Sequence, residues 1–176
     1  MNSPVSRKAF LLRGTMTLAA AALAGPRLAA QSPSPSSAPS IPDRGPQIES
    51  ALVKEFVGAG HGNLDKVKEM LAAQPALING TWDWGGGDFE TALGGASHMG
   101  RPDIAEFLLS KNARMDLFAA AMLGKLEIVK AAVAAFPAIA NVPGPHKIPL
   151  LVHAEKGGSA AAAVVEFLRP LVKPAS

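Results

Sequence analysis

The chain of 176 residues is long enough for one ordinary domain with appended segments. Its formal net charge is +3, but four of the 17 basic residues lie in the first 30 positions and all 14 acids follow them, so the remainder is close to neutral. Such a chain lacks the clustered positive face that nucleic acids select, which argues against a nucleic-acid partner. The absence of cysteine excludes disulfides and thiolate metal sites.

Residues 1–30 predict an export signal. A basic start leads into a weakly apolar run and then into small residues, with cleavage expected after Ala30. The run is shorter than the ~20 residues that cross a bilayer, so no permanent membrane span is expected after cleavage. The segment "SRKAFLL", residues 6–12, resembles the bacterial twin-arginine signal, with Lys8 replacing the second arginine. This resemblance implies a periplasmic or secreted protein, with the general secretory route and a buried N-terminal helix as alternatives.

Residues 31–47, "QSPSPSSAPSIPDRGPQ", predict a disordered linker. They hold too few apolar groups to offset the entropy of ordering, and their prolines favour extended backbone. A folded domain is therefore expected over residues 48–173.

Within that domain one phrase recurs at helical spacing, at residues 62–71, 100–109 and 124–133. Each copy begins with a glycine, which permits a tight turn, and carries an acid three residues later, where the first turn of a helix favours negative charge. Branched or bulky side chains follow and predict one buried stripe. The stripe would contain Val67, Met70, Leu71, Ile104, Phe107, Leu108, Ile128 and Val129.

A shorter segment rich in small residues precedes each phrase, namely "FVGAGH", "TALGGASHM" and "LFAAAML". Two helices joined by a glycine turn bury their apolar sides only by stacking on the next pair. A fourth, weaker pair follows at residues 148–168. The sequence thus predicts an all-α solenoid of about four irregular helix-turn-helix units, near residues 48–80, 88–116, 117–141 and 146–172.

Residues 90–116 resemble an ankyrin repeat, following T-P-L-H-x-A-A-x-x-G in register with Ala92 for proline, Gly94 for histidine and Asn112 for a later glycine. The resemblance covers roughly residues 50–170. The repeat glycines lie 38, 24 and 33 residues apart, against an ankyrin period of ~33. The 24-residue step leaves no room for a β-hairpin finger, whereas the 38-residue step holds an enlarged one, "TWDWGGGDFE", residues 81–90.

The ankyrin resemblance implies a protein-interaction module that binds a partner protein through its concave face and long fingers, and the export signal implies a location in the bacterial cell envelope. The protein is expected to be non-enzymatic and monomeric, without a cofactor. The expected binding residues are Trp82, Trp84, Asp88, Glu90, His98 and His146. Alternatively, both indoles fold over the first two repeats, because unpartnered indole is costly to expose. Asp88 is expected to bond to its own glycine turn, and Glu90 to serve the start of the following helix.

Histidines and acids offer an alternative function. If these side chains converge, they form a site for a metal ion or a small acid substrate, because imidazole and carboxylate groups are suitable ligands. The candidates are His61, His98, His146, His153, Asp88 and Glu90. No H-E-x-x-H spacing, nucleophile motif or phosphate loop supports this chemistry. A metal-binding or small-molecule-binding protein or enzyme is therefore the first alternative, and a purely structural accessory the second.

The loop of residues 137–149 contains four prolines, which restrict it to turns and extended backbone. Two interpretations are equally supported: a rigid connection between the third and fourth units, or a second preorganised contact beside the tryptophan finger.

Overall fold

The structure, a computed structural model, describes residues 45–172. The predicted export signal and residues 31–44 of the predicted linker lie outside the described residues. The described residues belong to one compact unit. Among the described residues, none of the helices combines the length and apolar character that a membrane span requires.

Residues 45–172 are mostly helical, as the all-α prediction requires, with eight α-helices and one short β-hairpin. The helices are α1 (Ser50–Gly60), α2 (Leu64–Ala73), α3 (Ala92–Met99), α4 (Pro102–Ser110), α5 (Leu117–Met122), α6 (Leu126–Ala135), α7 (Leu150–Lys156) and α8 (Ala162–Leu168). The strands are β1 (Thr81–Asp83) and β2 (Phe89–Thr91). Short 3-10 turns connect several of these elements.

Local chemistry sets the ends of the helices. The Asn63 side chain accepts a hydrogen bond from the Lys66 N–H and caps α2. Pro102 begins α4, where the lack of an N–H costs no hydrogen bond because the first N–H groups of a helix have no partner within it. Asp103 follows in the first turn, where negative charge is favoured. Gly100 ends α3 with a positive φ of 66°, and Gly124 turns the chain between α5 and α6 at 68°.

Consecutive helices pack as four pairs, α1 with α2, α3 with α4, α5 with α6, and α7 with α8. The first helices of these pairs also contact one another in order, α1 to α3, α3 to α5, and α5 to α7. Fully buried small residues, such as Ala92 in α3 and Ala120 in α5, let these helices approach closely. In addition, α3 contacts α7, so the fourth pair reaches back to the second.

Most of the predicted apolar stripe is buried, but two of its members are not. Val67, Ile104 and Val129 have no exposed surface. Phe107 is only partly buried, with the ammonium groups of Lys68 and Lys111 5.8 and 5.7 Å from its ring centroid. Ile128 is 47% exposed, contrary to the prediction. Val129 takes the inward position, and Ile128, as its neighbour in sequence, points about 100° away from it around the helix axis.

The finger predicted at residues 81–90 is an antiparallel hairpin in which Trp82 lies opposite Glu90. Its turn consists of three glycines with φ of 131°, 65° and 86°, a backbone that other residues resist. Asp83, not Asp88, accepts hydrogen bonds from this turn, from Gly85 N at 2.8 Å and Gly87 N at 3.1 Å. The role predicted for Asp88 is therefore wrong, since Asp83 lies on the strand that enters the turn. As expected from the 24-residue step, residues 111–116 contain no strand.

The turn after α5 lies against residues 160–161, so a substitution there tests the packing of the third helix pair on the fourth. A Cβ at Gly124 would overlap the Ala160 carbonyl oxygen, at a positive φ of 68°. We expect Gly124→Ala to lower the free energy of unfolding by about 3 kcal/mol or more, from backbone strain and overpacking together. Urea denaturation followed by circular dichroism measures it.

Gly158→Ala is the matched control. Gly158 also has a positive φ, 59°, but a Cβ there would meet no atom within 4 Å. Only the backbone strain applies, which is about 1 kcal/mol. Equal losses in the two variants would contradict the close approach of the α5 turn to residues 160–161.

Candidate metal centre

Glu90 lies at the middle of the candidate site and is 1% exposed. It belongs to β2, one residue before Thr91, whose hydroxyl caps α3 by accepting from Gly94 N at 3.0 Å. The capping role predicted for Glu90 thus belongs to Thr91. One oxygen of the Glu90 carboxylate, Oε2, accepts a hydrogen bond from Trp84 Nε1 at 2.8 Å.

Three imidazoles converge on this carboxylate. His61 Nε2 and His146 Nε2 lie 3.2 and 3.3 Å from Glu90 Oε2. His98 Nε2 lies 3.0 Å from the other oxygen, Oε1. Each of the four residues offers one ligand-type atom, and these atoms all lie within 4.8 Å of one another.

The contact between His98 and Glu90 is unusual. Only 3.0 Å separates His98 Nε2 from Glu90 Oε1, yet their geometry does not make a hydrogen bond, and both atoms are buried without another partner. A buried polar atom without a partner carries a desolvation cost, so such atoms are rare in folded proteins. The two atoms are placed as neighbouring ligands of a common cation would be.

Two of the imidazoles are oriented by hydrogen bonds at their other ring nitrogen. His61 Nδ1 lies 3.1 Å from the Val57 carbonyl oxygen, and His146 Nδ1 lies 2.7 Å from Asp88 Oδ2. Both partners are acceptors, so we assign the ring proton to Nδ1 in each case. That tautomer leaves the Nε2 lone pair directed toward Glu90, which is the arrangement found around protein-bound metals.

Electrostatics differ among the acids and histidines of the site. Burial raises the pKa of Glu90, but hydrogen bonding with His61 and Trp84 and the close approach of His98 outweigh burial and hold that pKa well below its usual value. The Glu90 carboxylate in turn raises the pKa of His61. The pKa of Asp88 is lowered, chiefly by the hydrogen bond that its carboxylate accepts from the His146 N–H. Glu90 and Asp88 are therefore anionic at neutral pH.

The structure brings together most, but not all, of the candidate residues. Trp84 is 39% exposed, and its ring lies 5.9 Å from that of His61 and 6.2 Å from that of His146. Trp82 is not part of this group and instead lies beside Lys54, 5.5 Å from the ammonium nitrogen. The residues that meet are Trp84, Asp88, Glu90, His98 and His146 from the expected binding surface, and His61 from the metal alternative.

His153 lies behind the group rather than in it. Its ring is 6.4 Å from that of His98, and its Nδ1 is 3.0 Å from the Pro149 carbonyl oxygen. The residue has no exposed surface, burial lowers its pKa, and its Nε2 has no hydrogen-bond partner. His153 is therefore a buried neutral neighbour of His98.

Small residues make this convergence possible. A Cβ at Gly95 would lie 2.9 Å from two atoms of the His61 ring, and one at Gly94 would lie 3.2 Å from Glu90 Cγ and 3.7 Å from Pro145. The contact of α3 with α7 brings the proline-rich loop, and with it His146, to the hairpin. The small residues of "TALGGASHM" predict close helix packing, and the structure shows that the paired glycines also make room for the His61 ring and the Glu90 side chain.

No protein-family model matches this chain, and a search among curated proteins finds no match. The geometry of the site is therefore the basis for assigning a function.

The four residues form a suitable ligand set for a divalent transition metal. Zinc bonds of about 2.1 Å in a tetrahedral site place neighbouring ligand atoms about 3.4 Å apart. His61 Nε2 and His146 Nε2 lie 3.2 and 3.3 Å from Glu90 Oε2, and His98 Nε2 lies 3.0 Å from Oε1, so these contacts are close to that value. The four ligand atoms as a set lie within 4.8 Å of one another, so metal binding would draw them together. Imidazole ligands favour zinc, copper, iron and nickel over magnesium and calcium, which prefer oxygen.

The lowered pKa of Glu90 gives a pH prediction for the protein kept in chelator. Its charged form stabilises the fold at pH values above the unfolded pKa of about 4.3, and this stabilisation is lost as the pH falls through the lower folded pKa. We expect the free energy of unfolding to fall between about pH 5 and pH 2, and to fall less steeply in Glu90→Gln. Urea denaturation at each pH measures it.

Glu106→Gln, at an exposed position on α4, is the control and should keep the wild-type slope. If the free energy of unfolding of Glu90→Gln falls with pH as steeply as that of the wild type and of Glu106→Gln, Glu90 is not the stabilised buried anion described above.

Proposed function

We propose that this protein binds a divalent transition metal, with zinc as the first candidate, through His61, Glu90, His98 and His146. The pair His98 Nε2 and Glu90 Oε1 carries the proposal, because these two buried atoms lie 3.0 Å apart in a geometry that does not make a hydrogen bond, as neighbouring ligands of one cation would. The sequence alone favours binding of a partner protein and keeps metal binding as the alternative. The geometry favours the reverse order.

Charge balance favours a metal over a cluster of protonated histidines. The rings of His61 and His146 lie only 4.9 and 5.2 Å from the ring of His98. Three imidazolium ions so close together would repel one another around a single carboxylate. A divalent cation with three neutral imidazoles and the Glu90 carboxylate leaves one net positive charge and satisfies all four ligand atoms.

For the scaffold we propose an ankyrin-like solenoid of about four helix-turn-helix units, following the resemblance of residues 90–116. The paired helices and the ordered contacts of α1, α3, α5 and α7 support it. A bacterial cell-envelope location remains a proposal that rests on the sequence of residues 1–30 alone.

Binding of a partner protein is a second candidate function. Phe89 and Trp84 in the hairpin are 61% and 39% exposed, and exposed aromatic side chains are common in interfaces. This surface adjoins the metal centre, so the two functions are compatible.

The chain offers a direct test, since it has two tryptophans and only Trp84 lies at the centre. Nickel(II) quenches indole fluorescence at short range. We expect nickel to quench the fluorescence of Trp82→Phe, which keeps Trp84, strongly, and that of Trp84→Phe, which keeps Trp82, much less. In the Trp82→Phe background, His98→Ala should raise the Kd for nickel at least about 100-fold, since loss of a ligand costs no less than loss of an outer partner.

Zinc should reverse the quenching by competition, whereas calcium should not, because the ligand set is rich in nitrogen. Equal nickel affinity with and without the His98 imidazole would refute the proposed centre.

Asp88 provides a test of orientation, because its carboxylate holds the His146 ring and backbone at 2.7 Å each. We expect Asp88→Asn to weaken zinc binding by about 10-fold to 100-fold, as is typical for partners that orient a ligand. Calorimetric titration with zinc measures it. The control variant Asp65→Asn, at an exposed position on α2, should bind zinc as tightly as the wild type. Wild-type zinc affinity in Asp88→Asn would show that Asp88 is not needed to orient His146 for metal binding.

A further inference from the structure

A groove of about 600 Å³ opens beside the metal centre. Its lining residues are Gly85, Gly86, Gly87, Asp88, Gly144, His146 and Lys147. His146 and its partner Asp88 belong both to the groove and to the site, so the groove reaches the centre on the His146 side. This volume lies in the range of small-molecule sites.

Of the four proposed ligand residues, His146, which lines this groove, is the most exposed. The side chain of His146 is 31% exposed and that of His61 is 25% exposed, whereas that of His98 is 10% exposed and that of Glu90 is fully buried. An additional ligand would therefore approach a metal past His146. Because four protein ligands already fill a tetrahedral site, the external group would bind as a fifth ligand, a coordination number that zinc sites can reach.

The glycine turn leaves space in the groove. A Cβ at Gly85, Gly86 or Gly87 would meet no atom within 4 Å, so no packing reason excludes side chains from this turn. Their positive φ angles explain the glycines, and the missing side chains leave one wall of the groove formed by backbone alone.

Lys147 supplies the positive charge. It is the only Lys or Arg among the described residues that line the groove, and it forms no salt bridge with any residue in the range 45–172. Its backbone is held at a positive φ of 58° by the turn in which Lys147 N donates to Gly144 O at 3.1 Å. Asp88, the acid of the groove, is already bound to His146.

We infer that the groove binds a small organic carboxylate, with one carboxylate oxygen on the metal and the charge paired with Lys147. This inference rests on the proposed metal site and names the ligand class of that site. The metal, Glu90, Asp88 and Lys147 together carry one net positive charge, which a monoanion neutralises. A dianion such as phosphate fits less well, because the Asp88 carboxylate lines the same groove and repels a second negative charge.

The test uses the purified protein loaded with cobalt(II), whose visible spectrum reports its ligands. Acetate is the probe, and acetamide is its uncharged control of nearly equal shape. We expect acetate, but not acetamide, to change the cobalt spectrum in a saturable manner. Lys147→Gln should raise the Kd for acetate about fivefold, the size of a partly exposed ion pair. Lys130→Gln, on α6 and outside the groove, should match the wild type.

Different outcomes separate the two proposals. If cobalt binds but acetate acts no more strongly than acetamide, the carboxylate inference is wrong and the metal site stands. An unchanged Kd in Lys147→Gln, or tighter binding of phosphate than of acetate, also overturns the inference. If cobalt does not bind, both proposals fail.

Discussion

The buried carboxylate of Glu90 is the constraint on which the site depends. An anion taken out of water costs several kcal/mol unless charges and hydrogen bonds compensate it. Trp84 Nε1 supplies one hydrogen bond at 2.8 Å, and the Nε2 atoms of three histidines surround the rest of the carboxylate. A proton on His61 would neutralise the charge, but His98 Nε2 would still lack a hydrogen-bond partner, whereas one divalent cation would bond to all four residues. A carboxylate in this position explains why the imidazoles are gathered there.

The packing of the helices explains how residues so distant in sequence meet. Glu90 and His98 are fixed by the hairpin and by α3, and His61 follows α1, which packs on α3. His146 arrives only because α7 contacts α3, a contact between the second and fourth helix pairs. The absence of a hairpin between α4 and α5 accompanies this close approach.

Sequence patterns predicted the parts of this protein that local physics controls. These parts are set within single helices and their ends: the glycine turns, the acids in first helical turns, and the apolar spacing at Val67 or Ile104. Three consecutive glycines likewise favour a turn, because they adopt backbone conformations that other residues resist. The site could not be predicted in the same way. Its proposed ligands come from four separate segments, and whether they meet depends on the contact of α3 with α7, which no local pattern encodes. For the same reason Asp88 was expected to serve its own turn, although its partner, His146, lies 58 residues away.

X-ray absorption at the zinc edge of the zinc-loaded protein would test the central claim most directly. The account predicts a first shell of nitrogen and oxygen at about 2.0–2.1 Å together with the outer-shell scattering of three imidazole rings. Outer-shell scattering that falls by about one ring in His146→Ala would support the assigned ligands. A first shell of oxygen alone, without imidazole scattering, would contradict the claim that these histidines and Glu90 form a metal centre.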